Sequence, residues 1–487
     1  MKILHKRGDS LAILCTPAEL NFEIGDYIKI GDEQRYLLTQ VIDVGYVDFP
    51  GELEDLLRDL VVDGMDNVSV LDPYNTASLS MMVREARTVT AKVRAVVDRG
   101  THSHTSPWLP NRYSARFEKP PAGFLEEITA GGANSLVFEA GTVCGEKFHL
   151  SLSHLDGSLT IITGKKESGK SHLAKILVEA IASCGGTVLI FDVNGEYLNL
   201  DKTVDGGRSI LAGSLTVLNP GQNFTASLCD MGLRTFLDIL EHVYFTPATS
   251  LRELARVWRK LEFKVGHVTL HLLIEAVEKE SMNEAVREAV LSRLQSIESS
   301  GFIAEKASDL VALLETRPSG NVLVANLSNL MPGVRRLVVE YLLSRLSSIL
   351  SQNKAEPLFL FAEEAHLYLR ETYWEDLVTR MRHIGLFPVF VTNQPDTIPE
   401  LVYRQSDNIF LFNFTNDNDL EKIAKISKID AETVRILAKK MPPKHCLVLG
   451  KIVSDIPVLL KVRPSSLQTL GKTKFFFKKL DAVQMKR

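Results

Sequence analysis

Apolar positions change their period near residue 145, and the change divides the chain. Before about residue 100 they come in short alternating runs, Ser10 to Cys15, Tyr27 to Gly31, Arg35 to Val44 and Thr88 to Val97, separated by polar or glycine-containing turns. That spacing predicts the strands of a small β-barrel. One stretch breaks the series: Gly51 to Val62 sets Leu53, Leu56, Leu57 and Leu60 at helical spacing. Between His102 and Gly123 the chain holds Pro107, Pro110, Pro120 and Pro121. No continuous helix or central strand fits there, and the segment reads as a linker.

Beyond residue 145, apolar strands alternate with amphipathic helices, the pattern of a parallel α/β sheet covered on both faces. Strands are expected at Leu159 to Thr163, Thr187 to Asp192, Val322 to Leu327, Leu358 to Ala362, Phe387 to Thr392 and Asn408 to Asn413. From Phe224 to Thr316 only helical periodicity is found, as in Thr235 to Val243, Ser250 to Leu261 and Met282 to Glu298, so an all-α insertion is predicted within the sheet. The fold class is α/β, with a barrel over residues 1–115, a core over 116–223 resumed at 317–464, a helical insertion at 224–316 and a basic tail at 465–487.

Composition narrows the reading. Hydrophobic residues make up 45% and charged residues 24%, the balance of an ordinary folded protein. With 56 Lys plus Arg against 60 Asp plus Glu the net charge is −4, which argues against a uniformly basic nucleic-acid binder. A local basic lining is compatible with that charge, and Arg335, Arg336 and the segment from Lys472 to Arg487 are its candidates. Acids from Asp43 to Asp66 would repel DNA phosphates and suit a basic protein surface. Five scattered cysteines, none at a ligand spacing, fit a reducing compartment. The longest apolar runs fall short of the ~20 residues a membrane helix needs, and Leu11 to Cys15 is too short for a secretory core. A cytoplasmic protein with no membrane span is expected.

Candidate chemistry is concentrated in the second part. Gly164-Lys165-Lys166-Glu167-Ser168-Gly169-Lys170-Ser171 fits GxxxxGK[ST] between an apolar strand and a helix beginning at His172. The glycines let backbone N–H groups turn inward around phosphate oxygens; Lys170 places a charge on the β- and γ-phosphates, and Ser171 a hydroxyl on Mg²⁺. In Leu358 to His366 an apolar strand ends in paired carboxylates, Glu363 to hold Mg²⁺ through water and Glu364 to polarise an attacking water. Asp192 and Glu196, in the Phe191 to Tyr197 turn, are further candidates for ordering the water or metal shell, and His366 is read as packing or hydrogen bonding. The Phe387 strand ends at Thr392 and is followed by Asn393 and Gln394, amides suited to sensing a γ-phosphate; a turn containing Arg380 and Arg382, which could serve a neighbouring subunit's nucleotide, feeds it. No nuclease constellation is read outside this group.

These motifs in this order resemble the HerA branch of the HerA and FtsK group of P-loop motor ATPases, with the combination of Phe191 to Tyr197 and Glu363 to His366 more specific than the phosphate loop alone. The resemblance extends over nearly the whole chain, from the N-terminal β segments to Leu447 to Pro464. It implies a RecA-like P-loop NTPase core behind a HAS-type β-barrel, ATP and Mg²⁺ as cofactors, and a homo-hexameric ring that translocates double-stranded DNA. It also implies a nuclease of NurA type or another effector on the barrel. By the same resemblance Lys170 and Ser171 engage nucleotide and Mg²⁺, Glu363 and Glu364 form the acidic pair, and Arg382 is the trans-acting finger, with Arg380 its rival. The chain departs from the family in having Glu363 where Asp is usual. Asn393 and Gln394 stand where Gln-Arg is common, so either amide could be the sensor. Two rival functions are an ATPase scaffold that assembles and regulates a defence effector, and a conjugation-type secretion ATPase, the latter weighed against by the lack of a membrane segment.

Overall fold

The computed structural model describes residues 1–15, 21–47, 86–99, 101–103, 108–112, 114–130, 136–367, 372–414, 417–426, 430–439 and 441–470. The helix expected at Gly51 to Val62, the acids from Asp48 to Asp66, Pro107 and the basic residues from Lys472 onward lie outside them. The chain forms two compact units, neither continuous in sequence. One comprises Met1–Ser135, Glu139–Leu150 and Asn413–Val462; the other is mainly Ser151–Phe412 with the segment from Arg463.

The first unit opens with β1 (Lys2–Arg7), β2 (Ser10–Cys15), β3 (Tyr27–Gly31), β4 (Arg35–Tyr46), β5 (Arg87–Asp98), β6 (Thr101–Ser103) and β7 (Arg116–Glu118). They make a seven-stranded antiparallel sheet in the order β1-β2-β5-β4-β3-β7, with β6 on β5, a half-barrel whose two long strands carry bulges that bend them. Alternation does the folding: Leu11, Ile13, Ile28, Ile30, Leu37, Val41, Val89, Ala91 and Val96 turn to one core. Gly31 makes the β3–β4 turn possible, since a Cβ there would lie 2.4 Å from the Arg35 carbonyl oxygen. Within the proline-containing segment lies β7, an edge strand on β3. Then follow α1 (Ala122–Ala130), β8 (Val137–Val143) and β9 (Glu146–Ser151).

The second unit contains β10 (Thr160–Thr163), α2 (Lys170–Ser183), β11 (Thr187–Asp192), β12 (Leu215–Leu218), the helices α3 (Leu228–His242), α4 (Ala248–Val265), α5 (Leu270–Lys279) and α6 (Glu284–Glu298), then β13 (Asn321–Asn326), α7 (Pro332–Ser351), β14 (Leu358–Ala362), α8 (Thr372–Ile384), β15 (Leu386–Thr392), α9 (Glu400–Arg404) and β16 (Asn408–Phe412). Its strands run β12-β13-β11-β14-β15-β10-β16, all parallel. β10 and β11 are buried along their whole length, which is why they read as unbroken apolar runs. The helical insertion is capped from its own sequence: the side chains of Ser227, Thr269 and Asn283 each accept a backbone N–H of the helix that follows. Its core joins Phe236 to Trp258, and Phe224 and Phe302 to Tyr341 of α7.

The chain then re-enters the first unit as α10 (Asp417–Ile426), α11 (Ala431–Lys439), β17 (His445–Gly450) and β18 (Val458–Val462). A charged seam binds this return to the half-barrel. Lys92 Nζ lies 2.6 Å from Asp430 Oδ1, Arg94 Nη1 3.4 Å from Asp430 Oδ2, and Arg94 Nη2 donates to Thr433 at 2.8 Å. Both cations are nearly buried, so the anion cannot be dispensed with. After Val462 the chain crosses α2 as a strap. Ser466 O accepts Val204 N–H, Gln468 N–H donates to Lys202 O, and Leu467 is buried.

Hydrogen bonds from Lys92 and from the Thr433 backbone and hydroxyl outweigh partial burial and hold the Asp430 carboxyl down at about 2. A depressed acid stabilises the fold above its ordinary pKa, and that contribution is lost as pH falls from about 3.8 toward 2. Asp430→Asn should therefore lower stability by about 2 kcal/mol near neutral pH. Urea denaturation of the two proteins should show the gap narrowing as the medium is made strongly acidic.

Candidate active site

Register brings the site together. Thr163 at the end of β10 lies opposite Thr392 at the end of β15, and Ala362 at the end of β14 lies opposite Phe390. The loop after Thr163, the acids after Ala362 and the amides after Thr392 therefore leave the sheet along one edge, where parallel sheets bind ligands.

The loop cannot accept a side chain at its first position. A Cβ on Gly164 would lie 2.4 Å from Phe412 Cβ and 3.0 Å from Ser168 Oγ. Gly169, at φ +120°, then starts α2, and Ser168 Oγ closes the turn on Lys165 O at 2.8 Å. Lys170 is 8% exposed, and its ammonium donates to the carbonyls of Gly164 at 2.9 Å and Lys165 at 2.6 Å. Burial lowers its pKa, opposed by the charges of Glu364, Glu363 and Glu196. Lys165, Lys166 and Glu167 form the exposed outer rim, Ser171 is half-buried in the first turn of α2, and His172 Nε2 lies 2.7 Å from Arg463 O in the strap. The uncapped N–H groups of that first turn face the loop's concavity, the usual anion site.

The two acids differ in setting. Glu363 is buried, its Oε1 accepts the Tyr197 hydroxyl, and burial pushes its carboxyl up to about 8 against the opposing effects of that phenol and Lys175. Glu364 sits in the left-handed region at φ +49°, a strained conformation for a long side chain. Its Oε2 lies 3.3 Å from His366 Nδ1, outside hydrogen-bond geometry, and His366 Nδ1 in turn lies 3.3 Å from Thr392 Oγ1. Thr163 Oγ1, Glu364 Oε2 and Asn393 Oδ1 are buried without a hydrogen-bond partner. Three unsatisfied oxygens at the ends of three adjacent strands are costly, and a bound ligand with its water is what would repay them. Asn393 is half-buried, Gln394 exposed.

Other candidates are placed elsewhere. The Asp192 carboxylate braces its own turn, accepting the N–H groups of Glu196 at 3.0 Å and Tyr197 at 2.9 Å. Arg380 and Arg382 lie on α8, where a turn was expected. Arg382 donates to Gln405 O at 2.6 Å and Asp407 Oδ2 at 2.7 Å, and the same Asp407 oxygen accepts Leu159 N–H at the start of β10. The length of β10, about 13 Å, separates that end from the phosphate loop of the same chain. Sequence reasoning missed Tyr197 and Lys175. Their signals were a tyrosine in a buried turn, whose hydroxyl needs a partner, and a lysine among the apolar residues Leu173, Ala174, Ile176 and Leu177.

The donor set suits Mg²⁺: hard oxygens of Ser171 and Glu363 beside a phosphate loop. Among the described residues no three of His, Cys, Asp and Glu group to hold a metal by themselves, so such an ion would take part of its shell from phosphate oxygens and water.

Residues 162–346 match the family described as "Helicase HerA, central domain". That matched span includes the phosphate loop, Gly164–Ser171. A protein from Sulfolobus acidocaldarius described as "DNA double-strand break repair helicase HerA" is 24% identical over 383 residues, 70% of this chain and 73% of that one. The counterpart from Saccharolobus solfataricus is 22% identical over 324 residues, 61% and 62% of the two chains. Among solved structures, the conjugative coupling protein TrwB aligns with a TM-score of 0.52 at 15% identity, over 72% of this chain and 92% of that one. VirB4 of Thermoanaerobacter pseudethanolicus aligns at 0.51 and 14%, over 69% and 98%. These two likenesses show the shared P-loop fold. Phosphate loop, paired acids and the likeness to the HerA central domain together make this an ATP-hydrolysing enzyme. Among the described residues no helix is long and apolar enough to cross a membrane.

Lys170→Ala should weaken nucleotide binding and turnover together. Glu364→Gln, which keeps the shape and removes the carboxylate charge, should bind ATP and lose turnover by about a hundredfold or more. Nucleotide-binding titrations beside a steady-state phosphate-release assay separate the two losses.

Proposed function

We propose that the chain is a Mg²⁺-dependent ATPase that drives double-stranded DNA through a homo-hexameric ring and supports DNA end processing with a partner nuclease. The carrying observation is the conjunction, at one sheet edge, of a phosphate loop that falls within the match to the HerA central domain, paired acids and three unsatisfied buried oxygens. The relatives named as double-strand break repair helicases support the DNA part.

In this reading Lys170 and the N-terminus of α2 bind the triphosphate, whose oxygens are stronger acceptors than the loop carbonyls Lys170 now contacts. Ser171 and Glu363 would hold Mg²⁺, Glu363 through water, and the ion would neutralise phosphate charge. Glu364 receives a proton from the water that attacks the γ-phosphorus as the bond to ADP breaks. His366, itself paired with Thr392, stands beside Glu364, and Asn393, the more enclosed amide, reports the γ-phosphate. Arg382 lies at the end of β10 remote from its own loop and carries an exposed guanidinium, so its proposed client is a neighbouring subunit's nucleotide. The half-barrel unit holds none of these residues and is assigned to docking a nuclease of NurA type or another effector.

Duplex DNA should stimulate ATP turnover, and the stimulation should fall steeply between about 50 and 200 mM salt with little dependence on base sequence. Arg382→Ala should bind nucleotide and fail to hydrolyse it, while mixing it with Lys170→Ala protein should restore part of the activity in mixed rings. ATP turnover indifferent to duplex DNA, together with full activity of a strictly monomeric species in mass photometry, would overturn this reading.

A further inference from the structure

We infer that Tyr197 is a positioning residue for Glu363, and that Lys175 holds Tyr197 in place, so that both oxygen donors proposed for the metal are set by the single helix α2. The inference rests on the ATP site proposed above and adds residues to it.

Tyr197 is fixed at three points. Its N–H donates to Asp192 Oδ2 at 2.9 Å, its hydroxyl donates to Glu363 Oε1, and Lys175 Nζ stands 5.0 Å from its ring centroid. It is fully buried, so its hydroxyl has one economical acceptor in a carboxylate. Lys175 is buried too. Its Nζ lies 3.4 Å from Glu196 Oε2 and 2.5 Å from Thr469 Oγ1, which fixes the ammonium between the turn after β11 and the strap. Lys175 follows Ser171 by four positions, so both lie on one face of α2 about one turn apart. The helix that presents the Ser171 hydroxyl thus also clamps, through Lys175 and the Tyr197 ring, the phenol that orients Glu363. A carboxylate on a flexible glutamate stem has an extra torsion to restrain, and a hydrogen bond to one oxygen is what restrains it. This gives Glu363, where a shorter aspartate is usual, a supported geometry.

Simple satisfaction of a buried phenol is the competing account, and the two differ in what the metal experiences. In the full chain, Tyr197→Phe removes one oxygen atom and keeps the ring. Binding of a fluorescent ATP analogue in EDTA should be unchanged, whereas the Mg²⁺ concentration needed for metal-dependent binding should rise about tenfold, with kcat falling by a similar factor and KM little altered. In a Glu363→Gln background the same substitution should cause no further shift, because the phenol acts through that carboxylate. Lys175→Met should shift the Mg²⁺ requirement in the same direction, and Lys175→Arg should restore it in part, a second route if Tyr197→Phe folds poorly. An unchanged Mg²⁺ titration in Tyr197→Phe, or a shift that persists in the Glu363→Gln background, would overturn the inference. Absence of ATP turnover and of Mg²⁺-dependent binding in the unaltered protein would instead overturn the ATP site itself.

Discussion

Parallel hydrogen bonding holds β14, β15 and β10 in fixed register, and each functional group inherits its position from that ladder. The loop from Gly164, the acids from Glu363 and the amides from Asn393 are far apart in sequence, yet they emerge along one edge because Thr163 pairs with Thr392, and Ala362 with Phe390, two residues before Thr392. A slip of one residue in β15 would carry Asn393 away from the phosphate loop and turn every side chain of that strand to the opposite face. Gly164 shows how little slack remains, since the neighbouring strand's Phe412 occupies the space a Cβ would need.

Charge is distributed with the same economy. Around the loop, Lys170 and Lys175 face Glu196, Glu363 and Glu364 in a poorly solvated space, where the carboxylate charges oppose the effect of burial on Lys170. In the half-barrel unit, by contrast, the seam of Lys92, Arg94 and Asp430 closes on itself with a hydroxyl and a backbone N–H as further partners. One arrangement leaves oxygens unsatisfied and suits a ligand; the other leaves the anion fully engaged and suits cohesion.

Much of this was legible in the sequence. Buried parallel strands such as Thr187–Asp192 and Leu358–Ala362 announce themselves because both faces are apolar, and the phosphate loop and Glu363-Glu364 carry their chemistry in local order. What escaped depends on distant partners. β12 is a short, half-buried edge strand recognisable only by its pairing with β13. Tyr197 and Lys175 become functional candidates only when α2 and the turn after β11 are brought together. Asp192 reads like a catalytic acid but spends its oxygens on its own turn, a use that spacing alone cannot distinguish. Nothing in the hydrophobic pattern signals that Asn413–Val462 packs with the first unit.

That discontinuity bears on how the chain is made. His172 meets Arg463 across 291 residues, and Lys92 meets Asp430 across 338. During synthesis from the N-terminus, the half-barrel waits for its returning helices and strands, and α2 waits for its strap, until Thr469 has left the ribosome. Both units must therefore hold incomplete surfaces while the intervening residues are made, with α2 and its buried Lys175 uncovered until Thr469 emerges. The helix behind the phosphate loop is thus sealed long after it is made, which makes ordered release of the nascent chain, and any chaperone that shields it, part of building the site.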